Sequence, residues 1–337
     1  MPMIVSDEEF LATWKRLQSP VKVAKALNIL PNQVYRRRAS LERKYGLMLK
    51  TVEAKPVNRR GMKSDVRKRI EATAEKRFTH LETDIREQVT DGTVVVFSDA
   101  HYWPGIVTVA HRALVAVIEQ LQPELVIANG DVLDGATISR HPRIGWEARP
   151  SVKEEIEALC ARMREIELAA PNARLIRTVG NHDSRFENYI SANAPALEGV
   201  HGTSLFDFLP HWRGTFCLHL NPEQDGWTVV RHVHVAGGIH SAYNSTVRAG
   251  THYVHGHLHK LQVTPFGDYR GRRYGVDTGT LADPKGPQFT YVQGGPLNWC
   301  SGFAVLTYRG GRLLLPELVE VIDGVAWFRG EKVATSS

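Results

Sequence analysis

The sequence predicts an α/β fold preceded by a small all-helical domain. Four short apolar runs are each followed directly by a polar segment that carries Asp, Asn or His, a pattern typical of buried strands. Helical patterns at 107–121 and 152–168 separate the first three runs. Functional groups of an open α/β sheet gather at the carboxyl ends of its strands, so we expect the four polar segments at one place.

The polar segments contain the ligand types of a divalent metal centre. They are Asp99-Ala100-His101, Gly130-Asp131-Val132-Leu133-Asp134, Gly180-Asn181-His182-Asp183 and Gly256-His257-Leu258-His259. Carboxylate, carboxamide and imidazole together suit Mn, Fe or Zn, and the absence of Cys among them argues against a structural zinc site. Four unrelated strand-end turns are the alternative, but four such segments in order favour a shared centre.

The set D-x-H, G-D-x-x-D, G-N-H-D and G-H-x-H resembles the calcineurin-like binuclear metallophosphoesterases, including phage-encoded members, over about residues 93–262. The resemblance implies a two-layer β-sandwich flanked by helices, with two divalent ions at the strand ends. Manganese is the expected ion, with iron, zinc, nickel and magnesium as alternatives. The ions would activate a bridging water, whose hydroxide would attack phosphorus in line.

The resemblance also implies a role for individual residues. One ion would be held by Asp99, His101, Asp131 and His259. The other would share Asp131 as a bridge and take Asn181, His257 and one further histidine. His182 would be the general acid or phosphate-contacting histidine, with Asp183 as its orienting partner. Asn181 would also hold charge on the phosphoryl oxygens.

The further histidine follows a predicted strand at 227–231. His232 comes directly after the apolar run, which is the usual place in the family, although Val233 follows it where Gly is common. His240, in a Gly-Gly-Ile-His segment, is the second candidate, either as the ligand or as a residue of the pocket. His234 shares a face with His232 and fits an ordinary half-buried strand histidine.

The loop after the second strand carries candidates for contact with a substrate phosphate. Arg140, His141 and Arg143 leave from the metal side of the sheet, and Arg185 follows the third polar segment. Guanidinium groups match phosphate oxygens geometrically. Solvated surface charge is an equal alternative for the loop arginines.

Length and composition indicate an ordinary globular protein with more than one domain. The chain has 337 residues, of which 42% are hydrophobic. No run approaches the roughly 18 apolar residues of a membrane span, and no signal pattern opens the sequence. Three cysteines without paired spacing fit a reducing compartment. We expect a cytoplasmic protein without membrane contact, in the host cytoplasm if it is phage-encoded. The oligomeric state is not indicated.

The basic charge is concentrated in the first 90 residues. They hold 20 Lys and Arg against 11 Asp and Glu, a net of +9, whereas the remainder has a net of −3. Such a segment attracts nucleic acid through phosphate contacts and counterion release. A merely solvated face is the alternative.

Residues 6–46 predict three short helices. Ser6 opens a capping-box pattern, proline suits the first turn of both following helices, and Asn28 falls at the turn between these two. The spacing resembles helix-turn-helix domains, whose last helix lies in the major groove of DNA. That helix would carry Arg36, Arg37 and Arg38, although the motif usually has an aliphatic residue at position 37. A three-helix protein-interaction module is the alternative.

These patterns divide the chain into a helix-turn-helix-like domain at 1–50, a basic linker of helical composition at 51–92 and a catalytic domain at 93–330. The expected function is cleavage of DNA phosphodiesters by a metal-dependent nuclease. A phosphomonoesterase acting on protein, nucleotide or other small phosphate esters is the first alternative, because the metal motif does not settle the substrate. A DNA-bound scaffold with a vestigial centre is the second, which the intact ligand set disfavours.

Overall fold

The chain divides into two units, Met1–Ala72 and Thr73–Ser337, which we call the helical unit and the sheet unit. The computed structural model describes residues 5–49, 81–141, 144–147, 149–293, 295 and 297–336. Most of the expected linker, at 51–80, lies outside the described residues, and so does Arg143. No described helix is both long enough and apolar enough to cross a membrane.

The helical unit has three helices around one core: α1 (Asp7–Leu17), α2 (Pro20–Ala26) and α3 (Pro31–Tyr45). Ser6 caps α1 by accepting a hydrogen bond from the Glu9 backbone N–H at 3.1 Å, as its sequence pattern predicts. Trp14 of α1 packs in the same core as Val34 of α3. Asn28 has the left-handed φ of 51° expected at the turn between α2 and α3.

The sheet unit alternates strands and helices in its first half and ends in antiparallel strands. Its described helices are α4 (Val109–Leu121), α5 (Val152–Ala169), α6 (Ser184–Asn193) and α7 (Ser241–Ala249). Its described strands are β1 (Leu81–Glu87), β2 (Gly92–Phe97), β3 (Leu125–Asn129), β4 (Arg174–Thr178), β5 (Arg213–Leu220), β6 (Thr228–Val230), β7 (His252–His255), β8 (Gln262–Asp268), β9 (Gly271–Asp277), β10 (Gly302–Arg309), β11 (Arg312–Leu313), β12 (Glu317–Ile322), β13 (Val325–Phe328) and β14 (Glu331–Thr335).

The strands form one hydrogen-bonded sheet in the order β14-β13-β12-β10-β2-β3-β4-β5-β6-β7-β9-β8, with β1 beside β5 and β11 beside β10. β2, β3 and β4 are parallel neighbours, because α4 and α5 supply the crossovers between them. β6 and β7 are also parallel. The sheet therefore brings several strand carboxyl ends to one edge.

Alternate side chains of β2 enter two different cores. Val95 packs in the core that α4 and α5 cover, whereas Val94 and Val96 pack with Val230 of β6 and Val254 of β7. Since β6 and β7 are distant from β2 in the strand order, the sheet must fold over on itself to bring these residues together. The result is the predicted two-layer arrangement flanked by helices.

The sheet unit begins earlier and ends later than the sequence indicated. Leu81–Glu87, which fell in the predicted helical linker, forms β1 and pairs in parallel with β5. Most of its side chains are exposed and only Ile85 and Glu87 are buried, so its composition resembles that of a solvated segment. The last strand ends at Thr335, beyond the predicted boundary at 330.

We expect a chain that begins at residue 73 to retain the full stability of the sheet unit and a chain that begins at residue 91 to lose part of it. The shorter chain lacks Ile85 and Val89, which are both buried in the core. Burial of each such side chain contributes roughly 1.5–3 kcal/mol. Thermal unfolding by circular dichroism measures the difference, and equal melting temperatures would show that β1 contributes nothing.

Candidate metal centre

The four polar segments begin at the carboxyl ends of β2, β3, β4 and β7, as the sequence predicted. Backbone hydrogen bonds hold the first two segments together. The Asp99 N–H donates to the Gly130 carbonyl at 3.0 Å, and the His101 N–H donates to the Asp131 carbonyl at 3.1 Å. The sheet edge therefore fixes the backbone from which the candidate ligands project.

Gly180 and Gly256 allow the other two segments to approach closely. A Cβ atom at Gly180 would collide with the backbone nitrogen and carboxylate of Asp131. A Cβ atom at Gly256 would collide with the carboxylate of Asp99 and the hydroxyl of Ser98. Any larger residue would thus push a candidate carboxylate ligand out of place.

Five of the candidate ligands have left-handed backbone conformations. Their φ angles are 52° at Asp99, 39° at His101, 53° at Asp131, 71° at His257 and 59° at His259. This region costs a non-glycine residue on the order of 1–3 kcal/mol and persists only where the surrounding structure enforces it. The five residues with strained backbones are therefore the same residues whose side chains converge.

Asp99, His101 and His259 form the first ligand cluster. All three are buried, and one ligand atom of each lies within 4.8 Å of the others. Asp99 Oδ1 is 3.0 Å from His259 Nε2 and 4.0 Å from His101 Nε2. Asp99 Oδ2 accepts a hydrogen bond from the His257 backbone N–H at 2.8 Å, so both oxygens of the carboxylate are positioned.

Asp131, His232 and His257 form the second ligand cluster, again with one ligand atom of each within 4.8 Å of the others. Asp131 Oδ2 lies 3.1 Å from His232 Nε2, and Asn181 Oδ1 lies 3.3 Å from the same nitrogen. His232 Nδ1 donates to the Asn129 carbonyl at 2.8 Å, a contact that fixes the ring. Apart from the alternative His240, all the candidate ligands predicted from the sequence therefore lie in or beside the two clusters.

The structure brings one of the three histidines after β6 to the second cluster. His232 is buried there, whereas His240 is exposed at the start of α7 and joins none of the candidate clusters among the described residues. His234 is half-buried, and its ring stacks on that of His257 with centroids 5.8 Å apart. His232 is thus the histidine that lies where the open ligand was expected.

Both clusters fit divalent cations chemically. His101 Nε2 and His259 Nδ1 are buried without a hydrogen-bond partner among the described residues. A buried polar atom without a partner is costly unless a ligand meets it. Asp99 and Asp131 add negative charge in the same buried place, and carboxylate with imidazole is a common donor set for divalent metals.

Electrostatics hold the two carboxylates ionised. Burial alone would raise the pKa of Asp99, but His259 and His232 outweigh it and lower that pKa to about 2. Burial would also raise the pKa of Asp131, but His232 outweighs burial and holds that pKa well below its ordinary value. Despite its own burial, His232 has its pKa raised to about 10 by Asp131 and Asp99. A cation bound at this cluster would compete with a proton for His232.

His182 lies beside the clusters, with its ring oriented by Asp134. Its Nδ1 donates to the Asp134 carbonyl at 2.9 Å, and its Nε2 accepts from Arg185 Nη2 at 3.0 Å. Burial opposes protonation of His182, but the Asp134 and Asp131 carboxylates raise its pKa above the ordinary value. Asp134 Oδ1 lies 3.0 Å from His101 Nδ1 and 3.4 Å from His182 Nδ1, so Asp134 contacts both a candidate ligand and a candidate acid.

Asp183 has a different role from the one that the resemblance implied. Its carboxylate accepts four backbone hydrogen bonds, of 2.9 to 3.2 Å, which come from Asp131, Val132, Leu133 and Gly180. It faces inward from the start of α6, so it fixes the backbone of two polar segments. Asp134 orients the His182 ring instead.

A cavity of about 420 Å³ adjoins His182. Two of the candidates for substrate contact, His141 and Arg185, line it, whereas Arg140 is exposed and is not among its lining residues. Trp103 and Tyr291 line the same cavity, although no sequence pattern indicated either residue. The two aromatic residues are far apart in the sequence, so neither carries a motif that could have identified it.

Two further side chains hold the turn that follows Asp134. The Glu155 carboxylate accepts backbone hydrogen bonds from Gly135 at 2.5 Å and Ala136 at 3.0 Å, and Arg149 Nη1 donates to the Ala136 carbonyl at 3.0 Å. Glu155 is fully buried on α5. Burial and the neighbouring Asp134 raise the pKa of Glu155 to about 7.

The three arginines of α3 differ in their surroundings. Arg37 lies 3.3 Å from the Asp7 carboxylate, and Arg38 donates to Glu42 at 3.0 Å, so both are paired inside the helical unit. Arg36 is exposed and has no hydrogen-bond or ion-pair partner in the part of the chain that the structure describes. Of the three, it is the arginine available to a partner.

The strand-end ligands and the folded-over sheet define a metallophosphoesterase. A family model described as calcineurin-like phosphoesterase matches residues 92–261, which is half of the chain. The chain belongs to this family. The match ends two residues after His259, so it includes every candidate ligand.

The chain is also similar to two phage proteins. The Gene 54 proteins of Mycobacterium phages L5 and D29 are each 30% identical over 229 residues, which cover 63% of this chain and 88% of the phage protein. Among solved structures, zinc-complexed Vps29 from Entamoeba histolytica superposes with a TM-score of 0.37 at 13% identity, over 72% of this chain and 98% of Vps29. Chaetomium thermophilum Vps29 gives 0.36 at 8% identity, over 72% and 99%.

We expect His232→Ala to lower the metal content by about one ion per chain, because the second cluster loses a buried imidazole. His240→Ala is the matched control and should leave the content unchanged. Elemental analysis after gel filtration measures both. Loss of an ion from the His240 variant alone would show that His240, and not His232, is the metal ligand.

We expect Glu155 to make the fold less stable as pH rises. Its ordinary pKa is 4.5 and its folded pKa is about 7, so the folded state holds the proton to higher pH than the unfolded state does. The free energy of unfolding therefore falls between these two values, by up to roughly 3 kcal/mol, and is unaffected by this group below them. Denaturant titrations at about pH 5 and pH 8 should show a smaller fall for Glu155→Gln. An identical pH dependence in both proteins would contradict the shift.

Proposed function

We propose that this metallophosphoesterase cleaves phosphodiester bonds in DNA. The observation that carries the proposal is the position of His182, beside two buried ligand clusters and at the wall of a cavity that exceeds a phosphate group in size. The reaction needs charge stabilisation at phosphorus and a proton for the leaving oxygen. Both requirements can be met at this place.

Divalent ions in the two clusters would supply positive charge to the phosphoryl oxygens and lower the pKa of water. The protein's own groups supply the proton. Asp134 holds His182 by Nδ1, so the protonated ring can give the Nε2 proton to the leaving oxygen as the bond from phosphorus to that oxygen breaks. Arg185 Nη2 can donate to Nε2 only while the ring is neutral, so it would turn to a phosphate oxygen when Nε2 carries the proton.

Two features support a nucleic-acid substrate. Trp103 and Tyr291 line the cavity next to His182, and aromatic faces stack on bases with roughly 1–3 kcal/mol per base. Residues 1–72 hold 17 Lys and Arg against 7 Asp and Glu, a net of +10, whereas the sheet unit has a net of −4. The basic helical unit would therefore supply most of the electrostatic attraction for DNA phosphates.

We expect His182→Asn to retain its metal content and to lose turnover by about 10²- to 10⁴-fold on alkyl diesters. The loss should be smaller on an aryl diester, whose leaving oxygen needs no proton. Initial rates on matched alkyl and aryl diesters measure the difference. Equal losses on both would indicate that His182 binds the substrate rather than protonates it.

We expect deletion of residues 1–72 to weaken DNA binding and leave small-ester hydrolysis nearly unchanged. The deletion removes a net charge of +10 and none of the candidate ligands. The slope of log affinity against log salt should become shallower because fewer phosphates are neutralised. Arg36→Ala in the full chain should cost about 1–3 kcal/mol if this residue reads a base, and Lys15→Ala is the exposed basic control.

The full chain, assayed with manganese, should hydrolyse single- or double-stranded DNA and bis-p-nitrophenyl phosphate faster than p-nitrophenyl phosphate. Turnover of the monoester alone would replace the nuclease with a phosphomonoesterase. Binding of DNA without turnover of any ester would indicate a scaffold. An unchanged salt slope after the deletion would assign the helical unit to protein interaction.

A further inference from the structure

A separate group of side chains of the types that bind metals lies on the β1–β5 pair, outside both ligand clusters. Asp84 of β1 stands opposite Cys217 of β5 in the strand register, and His219 follows two residues later on the same face. One ligand atom of each residue lies within 4.8 Å of the others. The three side chains come from paired strands, so their relative positions are fixed by backbone hydrogen bonds.

The ring of His219 is held in place and the group is accessible. His219 Nε2 is 3.1 Å from Asp84 Oδ1, and the ring packs against Trp227 with centroids 4.7 Å apart. The side chain of Asp84 is 52% exposed and that of His219 is 18% exposed. A cation could therefore reach the three residues from solvent without a change in the fold.

We propose that Asp84, Cys217 and His219 bind zinc or a chemically similar divalent cation at a site separate from the two ligand clusters. Thiolate, imidazole and carboxylate are the three ligand classes that zinc takes in proteins, and three protein ligands leave a fourth position for water. The soft thiolate selects zinc over manganese, whereas the described catalytic clusters contain no cysteine. The two kinds of site would thus prefer different ions.

Binding ionises the Cys217 thiol and releases its proton to solvent. Without a cation, burial and Asp84 raise the pKa of Cys217 to about 11, while Arg231 opposes them. A bound cation would join β1 to β5 and stabilise the strand that opens the described part of the sheet unit.

Cobalt titration of the full chain tests the site, because thiolate coordination gives a charge-transfer absorption that oxygen and imidazole ligands do not. The absorption should appear in the wild type, vanish on addition of zinc and be absent from Cys217→Ser. Cys160→Ser and Cys300→Ser are matched controls that should retain it. His219→Gln should weaken cobalt binding by at least about tenfold. Circular dichroism checks that each variant is folded.

A second measurement separates this site from the catalytic centre. In the Asp131→Asn chain, zinc should still raise the melting temperature, and additional Cys217→Ser should abolish that rise. An absence of charge-transfer absorption in the wild type, or its survival in Cys217→Ser, would overturn the proposal. An equal zinc-dependent rise in melting temperature with and without Cys217 would do the same.

Discussion

Asp99 and Asp131 are ionised carboxylates buried at one edge of a folded-over sheet, and this buried negative charge is the constraint that the surrounding structure satisfies. Isolated buried charges are unstable unless cations or hydrogen bonds compensate them. Histidines from the ends of β2, β6 and β7 converge on the two carboxylates. The glycines that admit close approach and the left-handed ligand residues are further consequences of the same requirement.

Asp134 connects the candidate metal ligands to the candidate proton donor. It orients His101 in the first cluster and His182 at the cavity, and Glu155 and Arg149 hold the turn that follows it. A change in this turn would therefore alter ligand geometry and proton transfer together. The fold thus positions the chemistry through backbone contacts of Asp183 and Glu155 rather than through the ligands alone.

The sequence predicted the strand-end segments because Gly, Asp and His follow apolar runs in a fixed order, and the structure brings these segments together. It could not predict β1, because an edge strand with mostly exposed side chains has the composition of a linker. The family resemblance implied that Asp183 orients His182. Sequence adjacency does not show that the Asp183 carboxylate turns inward toward backbone N–H groups instead. Glu155 and Tyr291 reach the site only through tertiary packing, which no local pattern records.

The central proposal is that the two clusters would hold a pair of ions, with Asp131 shared between them as the family resemblance implies. Anomalous diffraction from crystals of the full chain grown with manganese tests this claim directly. The account predicts two peaks, one beside Asp99, His101 and His259 and one beside Asn181, His232 and His257, each within bonding distance of an Asp131 oxygen. A single peak, or two peaks of which one lies away from Asp131, would contradict it.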